Sequence, residues 1–410
     1  MPRPWRDWIP GVLSDRQITE LFKENLIVGR DLRQDGKDLD KSSIDLFLSD
    51  EGYCMEAGYS VKPSGEEPYN SLIQREGSAA RLPREPDNTF LLGRRRTYVF
   101  RLQERLAKVL WKAGFHGQAT AKSSVGRIDV LARLVVDGMD QYEGFNPKRL
   151  EDADFSTGDM YLEITPMTFD VKVREGEALS QLRLFYGPPE DAEISSKEVY
   201  KTILGEEAND GSLGVDLDPV TIGGIQGVAF CARRDEKKDP IPLWKEVRED
   251  KKPTPWDYWK FVPQDRDRPS RLKIEQEQFY LLRSKQKISV PPGVAVYCRA
   301  SDETIGEMRI HYAGFAHPFF GKERPDGQLG TPLIFEVRGH QINVSLAHKE
   351  RMANLNFYRM SEDCEKPPLQ NGSEDPYNTQ NLQLSKFFRN WPKPPEKLRR
   401  TSDDGIVEPA

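Results

Sequence analysis

The feature that most limits what this chain can fold into is that it repeats itself. LSDRQITEL, from Leu13, resembles ISSKEVYKT, from Ile194, a shift of 181 (194 − 13). YVFRLQERL, from Tyr98, resembles FYLLRSKQK, from Phe279, again a shift of 181 (279 − 98). MYLEITP, with Glu163, resembles LIFEVRG, with Glu336, at 173 (336 − 163). The stretches that follow, VREGEALSQLRLFY and LAHKERMANLNFY, keep their spacing up to Phe185 and Tyr358. Four matches in one order at nearly one offset point to a duplicated domain of about 180 residues. Two copies are too few for a solenoid.

Each half opens on a short amphipathic helix, the first being SDRQITELFKENL with Ser14 as its cap. Alternating or briefly apolar runs follow, such as TYVFRL, MYLEI, FDVKV, LRLFY, GVAVYC, LIFEV and INVSL, separated by Gly/Pro/Asp-rich turns. That pattern predicts a mainly antiparallel β fold with few, short helices. The expected division is a first domain at 11–190, a second at 191–362 and a tail at 363–410. EDKKPTPWDYWKFVPQDRDRPSR belongs to a Pro/Trp-rich insertion near 235–272 and reads as a strap rather than core. The last stretch, PEKLRRTSDDGIVEPA, reads as loose.

Composition narrows the function classes. Apolar content of 37% and charged content of 31% fit a soluble protein with long polar loops. A net charge of −6 exerts no broad pull on nucleic acid. MPRPWRDWIPG has no apolar h-region and no run approaches 18 apolar residues, so neither secretion nor membrane insertion is indicated. Cys54, Cys231, Cys298 and Cys364 are far apart with no CxxC, which argues against a disulfide framework and a Cys-rich zinc site. A reduced, cytoplasmic setting is the plain expectation.

Three segments carry chemistry. In AKSSVGR, Ser123 and Ser124 offer donors, Gly126 admits close approach, and Lys122 and Arg127 supply charge suited to phosphate oxygens. The segment lacks GxxxxGK[ST] and is not a Walker loop; the bland alternative is a turn with two solvated cations. Glu163 and Glu336 sit mid-strand among large apolar neighbours, where burial would raise a carboxyl pKa toward that of a general acid/base. The bland alternative is that strand alternation turns each toward water. HYAGFAHPFFG, His311 to Gly321, reads as an aromatic hairpin loop over a pocket rather than a metal site, since no third ligand stands near its two histidines.

These residues carry a resemblance. SDRQI, SSIDLFL, KSSVGR, the Leu-Glu strand and the strand from Gly176 to Gln181 occur in the order seen in metal-independent dCTP deaminases, relatives of dUTPases. QFYLLRS, VPP, GEMRIHYAGFAHPFFG and YNTQNLQLSKFF make the chain resemble the tandem-domain bacterial members. The resemblance implies duplicated dUTPase-like β-clip domains, each a distorted barrel, and conversion of dCTP to dUTP and ammonia without zinc. Mg²⁺ would accompany the triphosphate as a charge partner. It implies that Ser123 and Arg127 organise the catalytic water and the glutamate, and that Lys122 and Ser124 contact the triphosphate. Glu163 matches the glutamate that activates water and protonates the ring, and Glu336 is its second copy. Gln181 matches a glutamine of the dUTPase relatives, and Ala313 the hairpin residue whose carbonyl holds the water. Tyr377 and Gln380 resemble a C-terminal lid over the phosphates. His317 counts among the substrate-binding residues, although relatives usually have aspartate there. The implied partners are a deoxynucleoside triphosphate and further copies of the chain, with no nucleic acid and no membrane.

The second half has RASDETIGE where the first has its phosphate segment, acidic where a triphosphate needs cations. Two arrangements follow. One is a homotypic site using KSSVGR with Glu163 from another chain's first half. The other, favoured by the better-kept hairpin of the second half, is a hybrid of KSSVGR with Ala313 and Glu336. Two other activities stay open at this stage. One is dUTP hydrolysis, alone or combined with deamination, with Asp137 or Asp140 activating water. The other is non-catalytic nucleotide sensing.

Overall fold

The structure, a computed structural model, describes residues 4–33, 38–56, 58–233, 238–244, 246–301, 308–311, 314–321, 329–365, 381–390, 398–400 and 407–409. Ser14 starts helix α1 (Asp15–Lys23) as expected. Its Oγ accepts from the Gln17 backbone N–H while Gln17 Oε1 accepts from the Ser14 N–H at 3.1 Å, a complete capping box. Ser196 caps the corresponding helix α2 (Lys197–Leu204) by accepting from the Val199 N–H.

In the first half, strands β1 (Ser43–Met55), β2 (Tyr98–Leu106), β3 (Phe115–Ala121), β4 (Val130–Val136), β5 (Asp159–Pro166) and β6 (Ala178–Tyr186) pair antiparallel. Their spatial order is β3-β6-β1-β2-β5-β4. The second half supplies β7 (Ser212–Asp216), β8 (Phe279–Ile288), β9 (Val294–Ala300), β10 (Met308–His311), β11 (Thr331–Gly339) and β12 (Arg351–Arg359). These run β9-β12-β7-β8-β11-β10, which is the first order with six added to every label. A short glycine-led strand flanks each sheet, Gly144–Phe145 beside β3 and Gly314–Ala316 beside β9. The architecture is mainly β, with two barrel-like sheets and few helices.

The insertion is a correction to the sequence reading. Ile241–Pro242 adds to the first half as a parallel partner of Val171–Val173, and Trp259–Val262 pairs with Ala229–Ala232 in the second. Trp259 is 0% exposed, and Ile241, Leu243, Trp256, Tyr258 and Phe261 are also buried. Trp259 and Tyr258 meet the ring of Phe169, from the first half, at 5.7 and 5.5 Å. Proline and charge made this segment look like a loop, yet its aromatics fill the gap between two sheets, which neither half alone would reveal.

The halves are also joined at the other end. Val12 bridges to Met360, and the Ser361 N–H donates to Val12 O at 2.7 Å. Between them runs Arg183, fully buried on β6. It donates to Val296 O at 3.0 Å and to Ala316 O at 3.4 Å, both in the second half, with its guanidinium 3.9 Å from the Phe315 ring centroid. Burial pushes its pKa down to about 10.

Replacing Trp259 with alanine is expected to destabilise the protein by about 3–5 kcal/mol, the usual cost of emptying a buried aromatic site. Denaturant unfolding reads this, and a change within about 0.5 kcal/mol would restore the strap reading.

Candidate active site

A cavity of about 540 Å³ lies between the halves, within the range of small-molecule sites. From the first half it is lined by Asp40, Ser42, Ser43, Gln181, Arg183 and the KSSVGR segment. From the second it takes Cys298, Arg299, Gly314, Phe315, His317, Phe320 and Glu336, and residues 382–386 and 388–390 close one wall. Seven lining residues are lysine or arginine (Lys122, Arg127, Arg183, Lys252, Arg299, Lys386, Arg389) and two are carboxylic (Asp40, Glu336). That balance suits a polyanion in a chain whose overall charge is negative.

KSSVGR follows β3 and folds into a single helical turn, Ser123–Gly126, which Lys122 begins. Lys122 Nζ is ion-paired with Asp45 on β1. Burial raises the Asp45 pKa and Lys122 partly offsets this. Ser123 is exposed toward the cavity, whereas Ser124 and Arg127 are buried. Gly126 has a specific reason to be glycine. A Cβ there would lie 2.3 Å from Glu336 Oε2, so the glutamate carboxylate rests directly on the turn.

Glu336 sits on β11, 5% exposed. Burial pushes its pKa well above the usual carboxylate range, the Arg127 charge works against that shift, and Asp129 adds to it. Two residues along the same face, Arg338 forms a buried ion pair with Asp129, the second residue after Arg127. Arg338 also donates to Thr168 Oγ1 at 2.6 Å and to Glu277 O at 2.8 Å. Asp129 takes the left-handed conformation, φ +60°, as the chain turns from KSSVGR into β4.

Glu163 does not join this cavity. On β5 it lies opposite Arg133 of β4 and is ion-paired with it. Ser60 Oγ donates to both of its oxygens, at 3.0 and 2.9 Å, and Tyr142 donates at 3.1 Å. On β11 the register position opposite Glu336 is held by His311 instead. Next to Tyr142, Glu143 stands in YEGF where the second half has Ala313 in YAGF. Burial pushes Glu143 up to about 8, and its φ is +68°.

The family models for the 2'-deoxycytidine 5'-triphosphate deaminase N-terminal and C-terminal domains match residues 9–188 and 191–388. The chain belongs to the dCTP deaminase family. It is also similar to the crystal structure of 2'-deoxycytidine 5'-triphosphate deaminase from Agrobacterium tumefaciens. That similarity is 27% identity and a TM-score of 0.72, over 87% of this chain and 99% of that one. No curated protein matches the chain at a significant level.

Of the residues that the deaminase resemblance singled out, Lys122, Ser123, Ser124, Arg127, Gln181, His317 and Glu336 line one cavity. Ala313, Tyr377 and Gln380 lie outside the described residues. His317 is buried, with Nδ1 2.8 Å from Pro318 O. Its charge contributes to Asp40, whose pKa burial would raise but which His317, the Lys41 N–H, Lys41 and Lys122 together hold below the usual value. Asp137 accepts from the Tyr69 N–H at 2.7 Å, Asp140 pairs with Arg149 at the surface, and neither lines the cavity. Sequence reasoning missed Arg183, though strand alternation puts it on the face of Gln181. It also missed Asp129 with Arg338, two residues beyond motifs already singled out. Asp216, Asp218 and His348 cluster elsewhere, where Arg283 and Lys285 engage the two aspartates.

The Glu336 pKa shift has a sign that stability can test. Its proton is held more tightly in the folded state, so the stability it contributes is complete below the usual carboxylate pKa of about 4.3. That contribution is lost as pH rises through the raised value. Glu336→Gln has no proton to lose. Its melting temperature is expected to match the parent near pH 4.5 and to exceed it increasingly toward pH 8. A difference that stays flat across that range would mean the carboxyl is not desolvated.

Proposed function

We propose that the protein converts dCTP to dUTP and ammonia in the cavity between its halves, with Glu336 as the acid/base. The observation that carries this reading is that the phosphate segment of one half and the desolvated glutamate of the other face the same space. The hybrid arrangement is therefore favoured over the homotypic one, whose glutamate, Glu163, is occupied by Arg133, Ser60 and Tyr142.

In this mechanism Lys122, Ser123 and Ser124 bind phosphate oxygens of the triphosphate, for which Mg²⁺ would serve as a charge partner. The base then reaches Glu336. Glu336 takes a proton from water as its oxygen bonds to C4, and passes a proton to N3. Glu336 then takes the proton of the new C4 hydroxyl and gives it to the amino group, which leaves as ammonia as the C4 carbonyl of dUTP forms. One carboxyl that first accepts and then donates works best with a pKa lifted toward the working pH. Arg127 steadies its charged form. Hydrolysis of dUTP gains no support, because Asp137 and Asp140 lie away from the cavity. A cytoplasmic setting is part of the proposal, supported by four free thiols at Cys54, Cys231, Cys298 and Cys364. Homo-oligomers are proposed from the family resemblance alone; both walls of this cavity come from one chain.

Chromatography of dCTP incubated with the pure protein and Mg²⁺, with no added zinc, should show dUTP and no dUMP. Glu336→Gln should lower turnover at least about 10³-fold while keeping dCTP binding, and Glu163→Gln should keep turnover within a few-fold. The reverse pattern would sink the hybrid site, and an unchanged dCTP peak with the parent protein would sink the function.

A further inference from the structure

The Trp-rich segment reaches the cavity. Its connection runs through residues 381–390. Ser385 Oγ donates to Ser124 O at 2.6 Å, which fastens this segment to the phosphate turn. Three residues later Phe388 is buried in an aromatic socket, with Tyr258 and Trp259 at 5.3 and 6.1 Å between ring centroids. The next residue is fixed to the insertion from both sides. The Arg389 N–H donates to Pro253 O at 3.1 Å, and its guanidinium donates to the carbonyls of Lys252 and Asp250. Arg389 is thereby a strut, its donors turned toward backbone.

Lys252 itself lines the cavity. Its ammonium lies 2.8 Å from Glu249, a carboxylate that is mostly exposed. Lys252 lines the same cavity as Lys122, Ser123 and Ser124 of the phosphate turn, to which Ser385 and Arg389 connect its segment. An ion pair with an exposed carboxylate contributes little, and a more highly charged anion can displace that partner at small cost.

We infer that the insertion is a working part of the nucleotide site: Lys252 binds the triphosphate, and the Tyr258–Trp259 socket positions residues 381–390 against the phosphate turn. Tyr258 and Trp259 act as positioning residues and Lys252 as a direct ligand. The inference rests on the proposed function only in taking KSSVGR as the phosphate end of the cavity.

The test is calorimetric titration of the full chain with Mg²⁺-dCTP, inorganic triphosphate and deoxycytidine. Lys252→Met is expected to weaken dCTP and inorganic triphosphate about tenfold, the scale of one charge-assisted contact, and to leave deoxycytidine unchanged. Lys252→Arg should recover most of the loss. Unchanged triphosphate affinity in Lys252→Met, or an equal loss for deoxycytidine, would overturn the role of Lys252. Phe388→Leu keeps an apolar side chain in the socket but removes the ring contacts. It should weaken triphosphate binding and hasten proteolytic cleavage around residues 381–390 with the melting temperature nearly held; normal binding in that variant would overturn the socket's role. A parent protein that binds dCTP without converting it would sink the proposed deamination and leave this inference standing. Failure of the parent to bind inorganic triphosphate or dCTP would overturn it.

Discussion

The ion pair between Asp129 and Arg338 is the constraint on which the cavity depends. Both groups are buried, and both have lost the water that would stabilise their charges apart. Such a pair adds little to stability compared with an apolar substitute, but separating the partners is costly. It therefore acts as a register pin. Asp129 follows Arg127 by two residues and Arg338 follows Glu336 by two. Holding one pair together aligns the other, and the contact of Glu336 with Gly126 is the visible result. Arg183 does the same at the other rim, where its bonds to Val296 O and Ala316 O hold the Gly314–Ala316 hairpin against the first half.

A site divided this way fits the complementary differences between the two copies. The first half keeps the cationic turn, and its own glutamate has become structural, neutralised by Arg133 and covered by Ser60. The second half keeps a desolvated glutamate beside a small hairpin, and its own version of the turn has become acidic in sequence. Each copy supplies one wall of the cavity. Glu143 fits the same account. A large acidic side chain occupies the first hairpin where the second carries Ala313, and only the second hairpin borders the cavity.

Much of this was legible in the sequence, for identifiable reasons. The duplication showed because strand alternation and the helix caps recur at nearly constant spacing, and Ser14 caps its helix through atoms three residues away. Choosing between the two glutamates was beyond local pattern. The partner that occupies Glu163 from the loop side, Ser60, lies 103 residues away, and Arg133 faces it only through sheet register. The insertion was misread for a related reason. Its prolines and charges are local, whereas the partners that bury Trp259 and Tyr258 include Phe169 and Phe388, distant in both directions along the chain.

The same ion pair also bears on the chemistry, beyond its role in alignment. Among the described residues, Asp129 pushes the Glu336 carboxyl toward its neutral form while Arg127 pulls the other way. Arg338 offsets the Asp129 charge at close range. Without Arg338, the negative charge of Asp129 would act on Glu336 with less compensation and raise its pKa further. A bound triphosphate brings further negative charge to the cavity and pushes in the same direction. The surplus of cations in the lining then has a second consequence besides binding. By neutralising the phosphates, it limits a further rise of the Glu336 pKa, as the proposed acid/base role requires.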